Sequence, residues 1–318
     1  MTQEKKKKKK GNVVTDYLLY LFVRVLTGLF HCFPVEANLR TACWLGRIMW
    51  KRYHRGRQRA LDNLRASFPD KDEAWLEETG RRSFEQLVMM VMDVLFTPRL
   101  VKLETWPTMF SFRNIERIKW MMKEEKGLLM VTAHYGNFEI IGYLMSLYGL
   151  KIYSIARPLD NPFINRWLMS VRESRGQKII YKKGAAEMMD QLAADGATLC
   201  FIADQDAGKK GVFVDFFGRK ASTYKSIGLV AMQYNLPIVI GGCRQHYKKF
   251  FFEMEPTRII YPHEWADKPD PLRWVTQEYT RAIEDFIRKD PAQYWWLHRR
   301  WKSRPKEERQ ALERAQKN

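Results

Sequence analysis

GLLMVTAHYGNFE, residues 127–139, changes character halfway along its length. From Gly127 to Ala133 it is a short apolar run of the kind a buried strand needs. His134 follows at the strand's C-terminal end, Gly136 permits a sharp turn, and Asn137 is a good helix N-cap. Glu139 then falls in the first helical turn, where the helix dipole stabilises a carboxylate. A strand that turns directly into a helix is half of a βαβ unit, and it brings His134 to the end of a strand where open α/β sheets bind their ligands.

The spacing of the histidine and the glutamate depends on that break. Within one continuous helix, side chains five residues apart point about 140° from each other. With His134 before the helix and Glu139 inside it, the turn is expected to fold the two together. A carboxylate there would fix the imidazole tautomer and stabilise the imidazolium formed when the base takes a proton. Such a base near pH 7 suits removal of a proton from an alcohol that attacks a thioester. The plain alternatives are a packing histidine and a glutamate that only compensates the helix dipole.

Working outward, further candidate strands are 151–156, 177–181, 198–203, 237–243 and 250–255. Candidate helices lie at 137–147, 161–175, 185–194, 222–234 and about 270–288. Strands alternating with helices imply an α/β fold with a largely parallel central sheet flanked by helices. Residues 36–125 read as helical.

The chain is 318 residues long, with 55 Lys plus Arg against 36 Asp plus Glu, a net charge of +19. That excess favours an anionic partner: a membrane surface, an acidic protein or a nucleic acid. No helix-turn-helix, RNA-recognition or zinc-finger pattern accompanies it, so the reading is no nucleic acid. Cys32, Cys43, Cys200 and Cys243 form no CxxC pair, which argues against a zinc knuckle, and nothing suggests a disulfide framework. Residues 17–33, YLLYLFVRVLTGLFHCF, are apolar except for Arg24, Thr27, Gly28 and His31. As a helix they would reach about 25 Å, slightly short of a hydrocarbon core. Lysines 5–10 precede them and a basic cluster from Arg47 to Arg59 follows. The expectation is an N-terminal membrane anchor with Arg24 snorkelling, either spanning the bilayer or lying in the interface. The expected layout is a basic tail at 1–11, an anchor helix at 12–34, one catalytic domain at 35–305 and a basic tail at 306–318.

Four blocks, in order, give the chain a resemblance. His134-Tyr135-Gly136-Asn137-Phe138-Glu139 looks like the HxxxxD/E motif of glycerolipid-type acyltransferases. Residues 156–162, ARPLDNP, resemble a second block; Asp204-Gln205-Asp206 leading into 211–219, GVFVDFFGR, a third; and 293–301, QYWWLHRRW, a fourth. Together they resemble the late (lauroyl/myristoyl) acyltransferases of lipid A biosynthesis over most of residues 15–305. The resemblance implies one catalytic domain with a membrane anchor on the cytoplasmic side of the inner membrane. It implies an acyl-carrier-protein or CoA thioester as donor, a (glyco)lipid hydroxyl as acceptor, and no metal cofactor. It makes His134 the base and Glu139 its partner, with Arg157 in the active site.

Asn161, Asp204, Asp206 and Arg219 are carried over as substrate-binding or site-lining residues. Arg157 would suit an acceptor phosphate or a developing oxyanion. Asp204 and Asp206 would hold acceptor hydroxyls or support His134, or simply make a turn. Phe213, Phe216 and Phe217 would line an acyl groove or pack in the core, and Arg299 and Arg300 would bind anionic groups or begin a solvated tail. Two readings from other classes compete. One is a metal-dependent glycosyltransferase using Asp204-x-Asp206; the other is a basic nucleic-acid or membrane-surface binder.

Overall fold

Apolar runs after residue 127 become the strands of one sheet, each returned to it by a helix. The computed structural model describes residues 12–306 and 308, apart from 125, 126 and 182–184. The basic tails expected at 1–11 and from 306 onward lie outside these residues, except 306 and 308.

Four helices come first: α1 (Val13–His31), α2 (Val35–Arg52), α3 (His54–Ser67) and α4 (Glu73–Leu100). Then come β1 (Phe110–Phe112), α5 (Ile115–Lys123), β2 (Leu128–Thr132), α6 (Phe138–Leu147), β3 (Ile152–Ala156), α7 (Pro162–Glu173), β4 (Lys178–Tyr181), α8 (Ala185–Ala194) and β5 (Thr198–Ile202). The last elements are β6 (Val212–Phe216), β7 (Arg219–Thr223), α9 (Ser226–Gln233), β8 (Ile238–Gln245), β9 (Phe252–Ile260), α10 (Pro262–Ala266) and α11 (Pro271–Lys289). The seven-stranded sheet has the order β1-β9-β8-β2-β5-β3-β4. All its pairings are parallel except β8 with β9.

The α/β architecture expected from the sequence is present, and each expected strand and helix overlaps an observed one. Two differences have clear causes. The helix expected from Ser222 starts at Ser226, because Ser222 and Thr223 finish β7. Strands β6 and β7 form a separate antiparallel hairpin. Its turn holds Phe217 at φ 50° and Gly218 at φ 68°, a left-handed pair of the kind that closes tight hairpins.

Strand alternation sorts the side chains. On one face Leu129, Val131, Ala133, Leu199, Ile238 and Ile240 join Leu64, Phe84, Tyr279 and Phe286 in the main core. Phe216 and Phe217 belong to that core, at 1% and 3% exposure, so they pack and do not line a groove. On the other face Met130, Thr132, Ser154, Ala156, Cys200 and Ile202 are less completely covered. Helix α1 docks by one stripe. Tyr17 and Tyr20 meet Phe163 of α7, Arg24 lies over Trp167, and His31 Nε2 donates to the Leu95 carbonyl of α4. Its remaining surface is exposed and apolar.

The turn after β2 is held by backbone. Gly136 sits at φ 53° and its amide donates to the Gln293 carbonyl at 2.9 Å. A Cβ added there would lie 1.9 Å from the Cys243 carbonyl oxygen. Gly136→Ala is therefore expected to destabilise the fold by about 3 kcal/mol or more, measured as a lower urea midpoint.

Candidate active site

His134 extends the register of Met130 and Thr132, and Asp204 that of Cys200 and Ile202. Because β2 and β5 are parallel neighbours, their C-terminal ends bring these two residues side by side. His134 Nδ1 and Asp204 Oδ1 are 2.8 Å apart, and the His134 backbone N–H donates to Asp204 Oδ2 at 3.2 Å. A carboxylate at Nδ1 fixes the ring so that Nδ1 carries the proton and Nε2 the lone pair. Asp204 is 2% exposed. Burial pushes its carboxyl up, but the charge and hydrogen bonds of His134, with His298 adding to them, outweigh burial and hold it well below the usual carboxylate range. It stays ionised next to the imidazole.

Glu139 does not take the place the motif spacing suggested. Asn137 caps α6 through Ile140 N as expected, but Glu139 then faces α7. There Arg172 Nε and Nη2 grip its two oxygens at 2.8 and 2.5 Å. A planar guanidinium holds a carboxylate bidentately, and the turn delivers Glu139 to that fork while β5 delivers Asp204 to the imidazole. Arg172 carried no signal in the sequence.

The other expected site residues are scattered. Arg157 is exposed after β3. Asn161 caps α7 through Phe163 N and Ile164 N, and donates to the Asp16 carbonyl of α1. Asp206 accepts from Gly208 N and from Ser303 N and Oγ. Arg219 donates to Ser67 Oγ and lies 3.6 Å over the Trp301 ring; burial, with Arg304 adding, lowers it to about 10. Arg300 is 1% exposed and ties the Gln205 and Ser222 carbonyls and Thr223 Oγ1 together, so it is a brace inside the fold, not part of a solvated tail. The two carboxylates of Asp204-x-Asp206 thus serve different partners, and the sugar-nucleotide reading loses its shared ligand.

The C-terminal segment closes the site. Trp295 N donates to the His134 carbonyl at 3.1 Å. The rings of Trp295, His298 and Phe138 lie 4.9, 4.6 and 4.9 Å from the imidazole. Burial lowers His298 to about 4, with Asp204 opposing and His134 and Arg59 reinforcing the shift. His298 is therefore neutral at pH 7. His134, Asp204 and His298 present ligand atoms within 4.8 Å of one another. These are the described residues that could approach a divalent ion together, yet both Asp204 oxygens already accept from His134.

The depressed His298 value has a consequence for acid stability. The unfolded imidazole takes a proton near pH 6.5, the folded one only near 4. Between those limits the unfolded chain binds more protons, so stability falls as pH drops from about 6.5 to 4, by about 3 kcal/mol from this group. His298→Gln should flatten that slope in urea titrations across the same window.

Behind the turn lies a buried polar support. Asp93 of α4 accepts from Asn137 Nδ2 and Gln245 Nε2, both at 3.0 Å. Burial raises its carboxyl well above the ordinary value, and no cation is among these partners. Beside the turn, an apolar groove, partly open to solvent, runs between α6 and the sheet. Met130, Ile141, Met145, Cys200, Ile202 and Val239 line it, with the Glu139–Arg172 pair on its wall. Phe138 lines it and also packs against the imidazole, so one ring separates the groove from the dyad.

Residues 4–303 match the sequence family described as bacterial lipid A biosynthesis acyltransferase. The chain is 25% identical to a lipid A biosynthesis lauroyltransferase of Escherichia coli, over 86% of this chain and 87% of that protein. It is 24% identical to a lipid A biosynthesis palmitoleoyltransferase of the same organism, covering 77% and 78%. A lipid A biosynthesis acyltransferase of Haemophilus influenzae is 24% identical, covering 80% and 77%.

Proposed function

This chain belongs to the bacterial lipid A biosynthesis acyltransferase family, and on that premise we propose that it moves a fatty acyl group from a carrier thioester onto a hydroxyl of a lipid A precursor, with His134 as base and Asp204 as its partner. The observation that carries the assignment is the 2.8 Å contact between His134 Nδ1 and Asp204 Oδ1. It leaves Nε2 to take the proton of the acceptor hydroxyl as that oxygen attacks the thioester carbon. The tetrahedral intermediate then collapses, the C–S bond breaks, and the imidazolium returns its proton to the departing thiolate. Asp204 remains an anion throughout and stabilises the imidazolium.

The apolar groove is assigned to the acyl chain, where each buried methylene contributes about 0.8 kcal/mol. Glu139 acts through Arg172. The pair forms a charged stretch of the groove wall, and holding it together fixes the first turn of α6 and with it the helix that flanks the imidazole. Exposed Arg157, at the C-terminal end of β3, suits an acceptor phosphate. The net charge of +19 suits an acidic carrier protein as donor, and the exposed apolar side of α1 supports a reaction at a membrane surface, on this reading the cytoplasmic face of the inner membrane.

The test is direct. Purified chain is given a dodecanoyl thioester, on the carrier protein or on CoA, and a lipid A precursor in detergent. Mass spectrometry should show one acyl group added, with the carrier-protein donor preferred at low salt and that preference shrinking as salt rises. An unchanged lipid with both donors refutes the assignment.

A further inference from the structure

Helix α1 has the length and hydropathy of a membrane span, but its packing is that of a helix laid against a wall. Along one stripe, contacts with the body recur from end to end. The Asp16 carbonyl accepts from Asn161 at 2.8 Å. The Tyr17 and Tyr20 rings sit 5.2 and 6.1 Å from Phe163. Arg24 lies 5.7 Å over Trp167, and Thr27 is buried. At the far end His31 meets Leu95 and Phe96, and its carbonyl accepts from Arg99 at 2.9 Å. Residues 16 to 31 span about 22 Å of helix, most of a bilayer's hydrocarbon depth.

An upright α1 would therefore pull its docking partners down with it. The start of α7, with exposed Arg166 and the neighbouring exposed Arg157, would have to enter or cross the hydrocarbon, where a charged side chain is strongly disfavoured. A helix lying in the plane of the membrane avoids this. The docked stripe then faces the protein, and the rest, including Leu18 (59% exposed), Phe22 (63%), Val25 (72%) and Leu29 (56%), faces lipid.

Helix α2 independently shows the same preference. Its inner side packs on α4, yet Trp44, Leu45 and Ile48 stay 59%, 39% and 37% exposed on the outer side. Arg40, Lys51 and Arg52 are exposed around them, and Phe33 and Tyr53 stand exposed at the two ends. An apolar strip containing tryptophan, flanked by arginine and lysine, is the pattern of a helix that lies among anionic headgroups.

We propose that α1 and α2 form one monotopic face that lies in a single leaflet rich in anionic phospholipid, so that α1 does not cross the bilayer. Resting on the reading that this enzyme works at a membrane, the inference fixes how it is held there. The N-terminal tail, the dyad and the groove all stay on the same side.

Sidedness tests it. Single cysteines are introduced as Thr2→Cys, ahead of α1, and as Gln58→Cys, exposed on α3, in full chain carrying Cys32→Ser; the chain without added cysteine sets the background. A membrane-impermeant maleimide is applied to inverted inner-membrane vesicles and to intact spheroplasts. The expected result is that both cysteines label in inverted vesicles and neither in spheroplasts. Labelling of position 2 only in spheroplasts and position 58 only in inverted vesicles means that α1 spans, and overturns the proposal while leaving acyl transfer intact. A dye on Leu45→Cys should be quenched several-fold by brominated phosphatidylglycerol; a dye that stays as unquenched as one at position 58 removes α2 from the face. Chain that stays in the supernatant overturns the membrane reading and the inference together.

Discussion

Replacing His134 with alanine is expected to lower turnover by about 10²–10⁴-fold, with KM for both substrates little changed. The imidazole makes one hydrogen bond through its ring and sits at the end of β2, where Phe138, Trp295 and His298 surround it. Its backbone bonds to Asp204 and Trp295 are independent of the side chain, so the turn keeps its anchors when the ring is removed. The urea midpoint should accordingly shift far less than the rate. Single-turnover measurement with saturating thioester and lipid separates the two effects. A folded His134→Ala chain that transfers at the native rate would show that another group takes the proton.

Asp204→Asn is expected to approach the same loss, about 10³-fold or more, because an amide keeps the shape but removes the charge facing the imidazolium and permits the wrong tautomer. The double variant with His134→Ala should be no slower than His134→Ala alone, since the two groups act as a unit. Glu139→Gln provides the contrast. Its amide oxygen still accepts from Arg172, so a loss of only about tenfold is expected from weakening a charged bidentate pair. If Glu139→Gln instead matched His134→Ala while Asp204→Asn stayed near native, the dyad would be misassigned.

The difference between those two carboxylates marks the limit of what the sequence could say. Local signals were sufficient for the strand, the turn and the cap, because Gly136 and Asn137 have few other uses in that order. The fold class followed from alternation of apolar runs with helical segments. What the 134–139 spacing could not reveal is which carboxylate the imidazole meets, since Asp204 lies 70 residues away and arrives only because β5 pairs with β2. The sequence offers Asp204 as a support for His134, yet nothing local separates it from Asp206, which caps a turn and holds Ser303 instead. Arg172 looks like any arginine at a helix C-terminus until α7 folds over α6. Arg300 sits in a basic run and reads as solvated, although the structure buries it against three oxygen acceptors.

The segment 293–301 reaches the dyad after every strand of the sheet has already been made. It supplies the Gln293 carbonyl for Gly136, the Trp295 amide for the His134 carbonyl, and the rings of Trp295 and His298. A chain still emerging from the ribosome therefore carries α1, β2 and β5 before it carries the wall around the imidazole. Birth order thus leaves the surroundings of the imidazole to be completed last.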